Sequence, residues 1–134
     1  MLAERLDLSD VGEGGDRLND ESDSRGPASQ AENATARWYE GAGYEVLSRN
    51  WVCRQGEIDL VLRRGREIIF CAVQARSSDA LGDPLEAVTR EKRQRLRFLA
   101  GRWLEEETRA RPSGIRFDVA SVMNSEVEVL EGAF

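Results

Sequence analysis

The chain has 134 residues, 40% of them hydrophobic, enough for one core of ordinary size rather than two. Its formal net charge is -6 and it contains no histidine, which removes the commonest general base and the commonest metal ligand together. Histidine-based triads and His-ligated zinc are therefore excluded, and any hydrolytic chemistry must run on carboxylates, lysine and a hard cation held by oxygen.

Charge is unevenly spread. Residues 1–28 hold eight acids against three arginines, a balance of -5, whereas the remainder holds 16 bases against 17 acids, a balance of -1. Residues 1–26 are rich in Asp, Glu, Gly and Ser without a sustained period, and read as a disordered acidic tail that either binds a protein partner or is a solvated extension. Residues 27–134 form the folded domain, near neutral and so able to carry a basic face. No run of 18 apolar residues is available to cross a membrane. The opening MLAERLDLSD also lacks the basic start and apolar middle of a secretion signal, so a cytoplasmic protein without membrane contact is expected. Cys53 and Cys71 sit in apolar, strand-like stretches without a CxxC spacing and read as buried reduced thiols.

In chain order, SQAENATARWYEGAGY places Ala31, Thr35 and Trp38 at helical spacing, with Ser29 and Glu32 in capping-box relation and Gly41 and Gly43 as the stop. A first helix is predicted over Ser29–Glu40. YEVLSRNWV, EIDLVLRR and REIIFCAVQAR follow as three strands of a meander. DPLEAVTREKRQRLRFLAGRWLEEE then opens with Asp83 as N-cap, Pro84 at the first helical position and Glu86 at the third, and predicts one long second helix. Leu85, Val88, Leu96, Leu99 and Trp103 form its apolar stripe. IRFDVASVM and EVEVLEGAF complete the chain as a closing pair of strands. The expected fold class is α/β, in the order αβββαββ, with helices packed on a mixed sheet.

Alternation along the second strand sends Glu57, Asp59, Val61 and Arg63 one way and Ile58, Leu60 and Leu62 the other. On the third strand Ile68, Phe70, Ala72, Gln74 and Arg76 share a face. A hairpin turning around Arg64 and Gly65 that pairs Arg63 with Ile68 sets Asp59 across from Ala72, with Cβ atoms ~4.5–5.5 Å apart. Acids at both positions would clamp one magnesium ion, and a lysine at position 74 would orient and help deprotonate a water.

The stretches GEIDL, EAVT followed by Lys92, and RFDV, within Ala31–Val122, resemble the bacterial YraN family, whose members are similar to Holliday-junction resolvases of the PD-(D/E)XK nuclease superfamily. The resemblance implies a restriction-endonuclease-like fold, a helix-one glutamate matched by Glu32, and an aspartate matched by Asp59. It also implies an E-x-K on the third strand, where this chain has Ala72, Val73 and Gln74. The expectation is a nucleic-acid-binding protein, of DNA above all, on a nuclease scaffold whose catalysis is lost or strongly impaired. No cofactor is then required, and magnesium or manganese matters only to residual cleavage.

Other residues carry two readings each. Glu32 is either a metal ligand or the far half of a capping box; Glu57 is a strand-edge charge or a further ligand. Asp59, flanked by Ile58 and Leu60, is costly to bury without a cation or an arginine partner. Lys92 either snorkels at the core's rim or substitutes for the absent lysine. Arg76 lies one same-side step beyond Gln74, ~6.6 Å along the strand, and can hold phosphate but not act as a base. Arg90, Arg93 and Arg97 form an exposed stripe that contacts phosphate or is simply solvated; it precedes Glu105–Glu107, the order the helix macrodipole disfavours. Trp38, Trp51 and Trp103 fall at core-like positions, and Asp118 reads as structural.

Overall fold

The computed structural model describes residues 26–77, 82–107 and 111–134; all of the expected acidic tail but Gly26, which begins a helix, lies outside them. Helix α1 spans Gly26–Gly41, followed by strands β1 (Glu45–Cys53), β2 (Gly56–Arg64) and β3 (Glu67–Ala75). A short 3-10 turn (Pro84–Ala87) leads to helix α2 (Arg90–Glu106), and strands β4 (Gly114–Met123) and β5 (Glu126–Leu130) complete the described chain. The five strands form one sheet in the order β1-β2-β3-β4-β5, antiparallel throughout except for the parallel pair β3–β4. A parallel pair needs a crossover, and α2 provides it. The architecture is therefore a mixed α/β sheet with two helices, and no described helix is long and apolar enough to cross a membrane.

Each sheet face has its own core. Tyr39 of α1 packs with Tyr44, Leu60, Leu62, Ile69, Cys71 and Ala120. Leu96, Leu99 and Trp103 of α2 pack with Ile58, Val61, Ile68 and Phe70. Ile58 thus joins Val61 rather than Leu60 and Leu62, contrary to simple alternation. The slip coincides with the end of the β2–β3 ladder, which runs from Arg64–Glu67 to Leu60–Cys71 and includes the expected Arg63–Ile68 pair. From Asp59 back to Gly56, β2 parts from β3 but stays paired with β1. Gly56, at φ +151°, begins the strand where a Cβ would stand 3.3 Å from Leu99 Cδ1, so the absence of a side chain lets α2 lie close.

Two helix starts differ from the sequence reading. Helix α1 begins at Gly26, ahead of Ser29, so Ser29 is not its N-cap and Glu32 is free of a capping-box role. Asp83 does cap its turn, accepting the Leu85 N–H at 2.9 Å, but the turn ends after four residues. Val88 drops into the core at 2% exposure, with extended φ and ψ. Thr89 then caps α2 anew, its Oγ1 accepting the Lys92 N–H at 3.2 Å. Burial of one valine outweighs an intact start signal. Trp103 is buried as expected, whereas Trp38 is 37% exposed and its neighbour Tyr39 fills the core instead. Both cysteines are free; Cys71 is buried and Cys53 only half so.

Asp118 on β4 is fully buried and fully used. Its Oδ2 accepts the Tyr39 hydroxyl at 2.6 Å and Arg116 Nη2 at 2.9 Å; its Oδ1 accepts Arg116 Nε at 2.8 Å and the Gly132 N–H at 3.0 Å. The structural reading of Asp118 matches this arrangement. Removing one partner of a buried, hydrogen-bonded pair leaves the other charge uncompensated. Asp118→Ala is therefore expected to lower stability in urea unfolding by about 3–5 kcal/mol, and Tyr39→Phe by about 1–2 kcal/mol; a loss below about 1 kcal/mol in the first would refute the role.

Candidate metal-binding cleft

Past the Leu60–Cys71 pair the Asp59 side chain takes over from the backbone ladder: its Oδ2 accepts the Val73 N–H at 2.9 Å. A cleft of about 250 Å³ opens at this fork. Glu57, Asp59, Ala72 and Gln74 line it from the sheet, and Val88, Lys92 and Leu96 from the α2 side. Asp59 and Ala72 thus share one cavity, although the ladder ends one step before they would pair directly.

Glu32 reaches the Glu57 and Asp59 carboxylates from α1. One carboxylate oxygen from each of Glu32, Glu57 and Asp59 lies within 4.8 Å of the others, a spacing that a single hard cation could bridge. Glu32 is buried at 9% exposure, Asp59 half-buried and Glu57 exposed. Burial, with the Asp59 and Glu57 charges beside it, pushes the Glu32 carboxyl up to about 7 against the opposing pull of a hydrogen bond from Asn50 and of the Arg49 charge. Burial also raises Asp59, with Glu57 adding to it, while the Val73 N–H and the Lys92 charge work the other way. No arginine pairs with Asp59 among the described residues, so its expected structural alternative is not what offsets its burial.

Of the two readings of Glu57, its place beside Glu32 and Asp59 favours the further ligand over the edge charge. Two other residues here went unassigned by sequence. Asn50 sits at φ +53°, a left-handed position Asn tolerates, close after the irregularity between Val46 and Ser48 in the β1 register. With Arg49, which donates to Asn33 Oδ1, it makes a two-point polar clasp between β1 and α1. Arg95 lines the cleft at its α2 side.

The cationic residues separate into two groups. Lys92 is exposed at the cleft, near enough to act on Asp59. Arg76 donates from Nη2 to the Gly82 carbonyl at 3.2 Å. Arg90 and Arg97 are exposed, but Arg93 is half-buried, donating to the Val88 and Leu85 carbonyls at 3.0 and 3.3 Å. The stripe is therefore not uniformly exposed; the 3-10 turn before α2 has drawn Arg93 inward. On the same helix Arg102 pairs with Glu106 at 3.4 Å.

A family model described as "uncharacterised protein family UPF0102" matches residues 31–122. The chain belongs to the UPF0102 family. Among relatives, the UPF0102 protein of Frankia alni is 45% identical over 108 residues, covering 77% of this chain and 89% of the relative. That of Beutenbergia cavernae is 49% identical over 94 residues, covering 70% and 79%, and that of Streptomyces coelicolor 45% over 93 residues, covering 69% and 72%. The UPF0102 match spans the same segment as the resemblance read from GEIDL, EAVT and RFDV.

The carboxylate cluster makes stability depend on pH. Between about 4.5, the ordinary value of a glutamate, and about 7, the folded chain keeps a proton on Glu32 that the unfolded chain releases. This contribution is complete below the unfolded value and disappears as pH rises through about 7. Glu32→Gln is expected to stabilise by roughly 1–3 kcal/mol at pH 8 and by less at pH 5, measured by thermal melting across that range; an equal effect at both ends would refute it.

Proposed function

We propose that this UPF0102 protein binds nucleic acid on a nuclease-like scaffold and cleaves it slowly or not at all. The resemblance carried by GEIDL, EAVT and RFDV, which implies a resolvase-like scaffold, supports the reading, and a mixed sheet with a helix on each face is compatible with a restriction-endonuclease-like arrangement. The observation that carries the reading is the surroundings of Asp59: Glu32 and Glu57 converge on it, while Ala72 and Gln74 line the adjoining cleft from the neighbouring strand. The three acids are hard oxygen donors suited to magnesium or manganese, and their mutual repulsion at a buried position is what such an ion would relieve. When bound, the ion would polarise a phosphate oxygen and acidify a water.

The chain's own residues would hold the ion and leave the rest of the task undone. Ala72 adds no carboxylate. Gln74 can donate and accept hydrogen bonds but brings neither charge nor an exchangeable proton of useful acidity. Groups in those two roles are each worth on the order of 10²–10⁴ in rate. Phosphate contact then falls to Arg90, Arg97 and Lys92, all exposed on one helix.

A slow magnesium- or manganese-dependent endonuclease acting on branched or single-stranded DNA is the second reading. Two placements favour it: Glu57 supplies a third carboxylate where position 72 has none, and Lys92 lines the same cleft.

Binding to DNA is expected to fall steeply between 50 and 200 mM salt, by roughly 10³-fold for a handful of phosphate contacts; a flat response, or no binding to any DNA form, overturns the main reading. Cleavage assays with magnesium or manganese separate the two. The main reading expects little cutting by the unchanged chain and at least ~10²-fold more after Ala72→Glu with Gln74→Lys. The second expects slow cutting that Asp59→Ala abolishes, and cutting indifferent to that change excludes it.

A further inference from the structure

Away from the cleft, three aromatic rings run in a column from the core outward. Phe70 is fully buried, Phe117 stacks on it at 5.8 Å between centroids, and Phe134 stacks on Phe117 at 5.3 Å with the planes 21° apart. The outer two rings remain partly open to solvent. The backbone leading to Phe134 is pinned: the Gly132 N–H donates to buried Asp118, and the Ala133 N–H donates to the Phe117 carbonyl at 2.7 Å. Its outer ring is therefore held in place before any ligand arrives.

Two guanidinium groups flank this column. Arg97 lies 5.6 Å from the Phe117 centroid and 5.3 Å from that of Phe134, and Arg93 lies 5.7 Å from Phe134. Neither forms an ion pair with an acid among the described residues, although the chain has 25 acids to 19 bases. Arg97 lies beside the stacked pair of rings, and Arg93 beside Phe134 while still donating to the Val88 and Leu85 carbonyls. Flat π surface beside guanidinium groups that no described acid pairs suits a ligand that is itself planar and anionic.

We propose that Phe134, Arg97 and Arg93 form a stacking platform for single-stranded nucleic acid, the ring taking a base and the guanidinium groups its phosphates. This deepens the nucleic-acid reading given above and rests on it. Every base has a π face, so the platform is tolerant of sequence; a duplex hides those faces, so it discriminates against paired strands. Exposed Arg90 extends the cationic track about 10 Å along the helix from Arg97.

The test is fluorescence anisotropy of the full chain with an oligothymidylate of about twenty nucleotides and a duplex of similar length, a span that covers the site size of one such platform. Phe134→Leu keeps apolar bulk and removes the planar π face. It is expected to weaken oligothymidylate binding roughly five- to tenfold and duplex binding by less than about twofold. Phe134→Trp, which preserves stacking, is expected to bind the oligothymidylate at least as tightly as the unchanged chain, and it carries the test if the leucine variant folds poorly. Unchanged or tighter binding by Phe134→Leu, an equal loss on both DNA forms, or weaker binding by Phe134→Trp overturns the platform while leaving the nucleic-acid reading in place. No binding by the unchanged chain overturns both.

Discussion

The structure turns on a carboxylate that water does not reach. Asp118 gathers the Tyr39 hydroxyl from α1, the Arg116 guanidinium from its own strand and the Gly132 N–H from beyond β5. Arg116 in turn donates to the Tyr44 hydroxyl at 3.0 Å, so the loop between α1 and β1 is tied to the same point. An isolated buried carboxylate would cost several kcal/mol; four donors to its two oxygens offset that penalty and convert it into geometry. Through Tyr39 the network sets where α1 lies, and hence where Glu32 can reach. Through Gly132 it sets the path of the chain into Phe134. The cleft and the aromatic column occupy different parts of the molecule and share this one anchor.

The cleft has a second cause, which is the early end of a ladder. If β2 and β3 paired along their full lengths, Asp59 would lie against a closed sheet surface and α1 could not bring an acid to it. Because the last pair is Leu60–Cys71, β2 parts from β3, Ile58 turns under α2, and the Asp59 carboxylate fills the opening by accepting the Val73 N–H. That bond fixes one oxygen. From the other neighbour of β2, Arg49 ties β1 to α1 through Asn33, and Asn50 beside it favours the charged form of Glu32. Three acids are held together against their own repulsion by groups that would otherwise serve only the fold.

Much of this was readable in advance. The Arg63–Ile68 pair of the β2–β3 register followed from strand alternation and a tight turn that sets Asp59 and Ala72 on one face, and the ladder contains it. Asp59 stood out since an acid between Ile58 and Leu60 needs a reason. What could not be read were departures from regular periods. The irregularity near Leu47 and the left-handed Asn50 carry no mark in a strand-like string, so the clasp on Glu32 stayed hidden. The start signal at Asp83 and Pro84 was chemically sound and was obeyed, but only for one turn, since Val88 gains more in the core than on a helix. The same turn drew Arg93 inward, which no helical spacing of charges could have indicated.

Helix α2 carries opposite electrostatic tasks on neighbouring faces. Lys92, Arg95, Leu96 and Leu99 look into a cleft with acids on its far wall, while Arg93 and Arg97 sit one residue on, about 100° around the helix at 3.6 residues per turn, against the aromatic column. A polyanion attracted to the arginines would be repelled by the carboxylates a quarter-turn away. Lys92 softens that boundary, and a divalent cation among the acids would reverse it, turning a repulsive edge into a bridging one. On the proposed reading, binding along the arginines and binding near the acids are therefore coupled through charge alone. The first needs no metal. The second does, and with Ala72 and Gln74 in the cleft, arrival of phosphate there adds hold more than it adds chemistry.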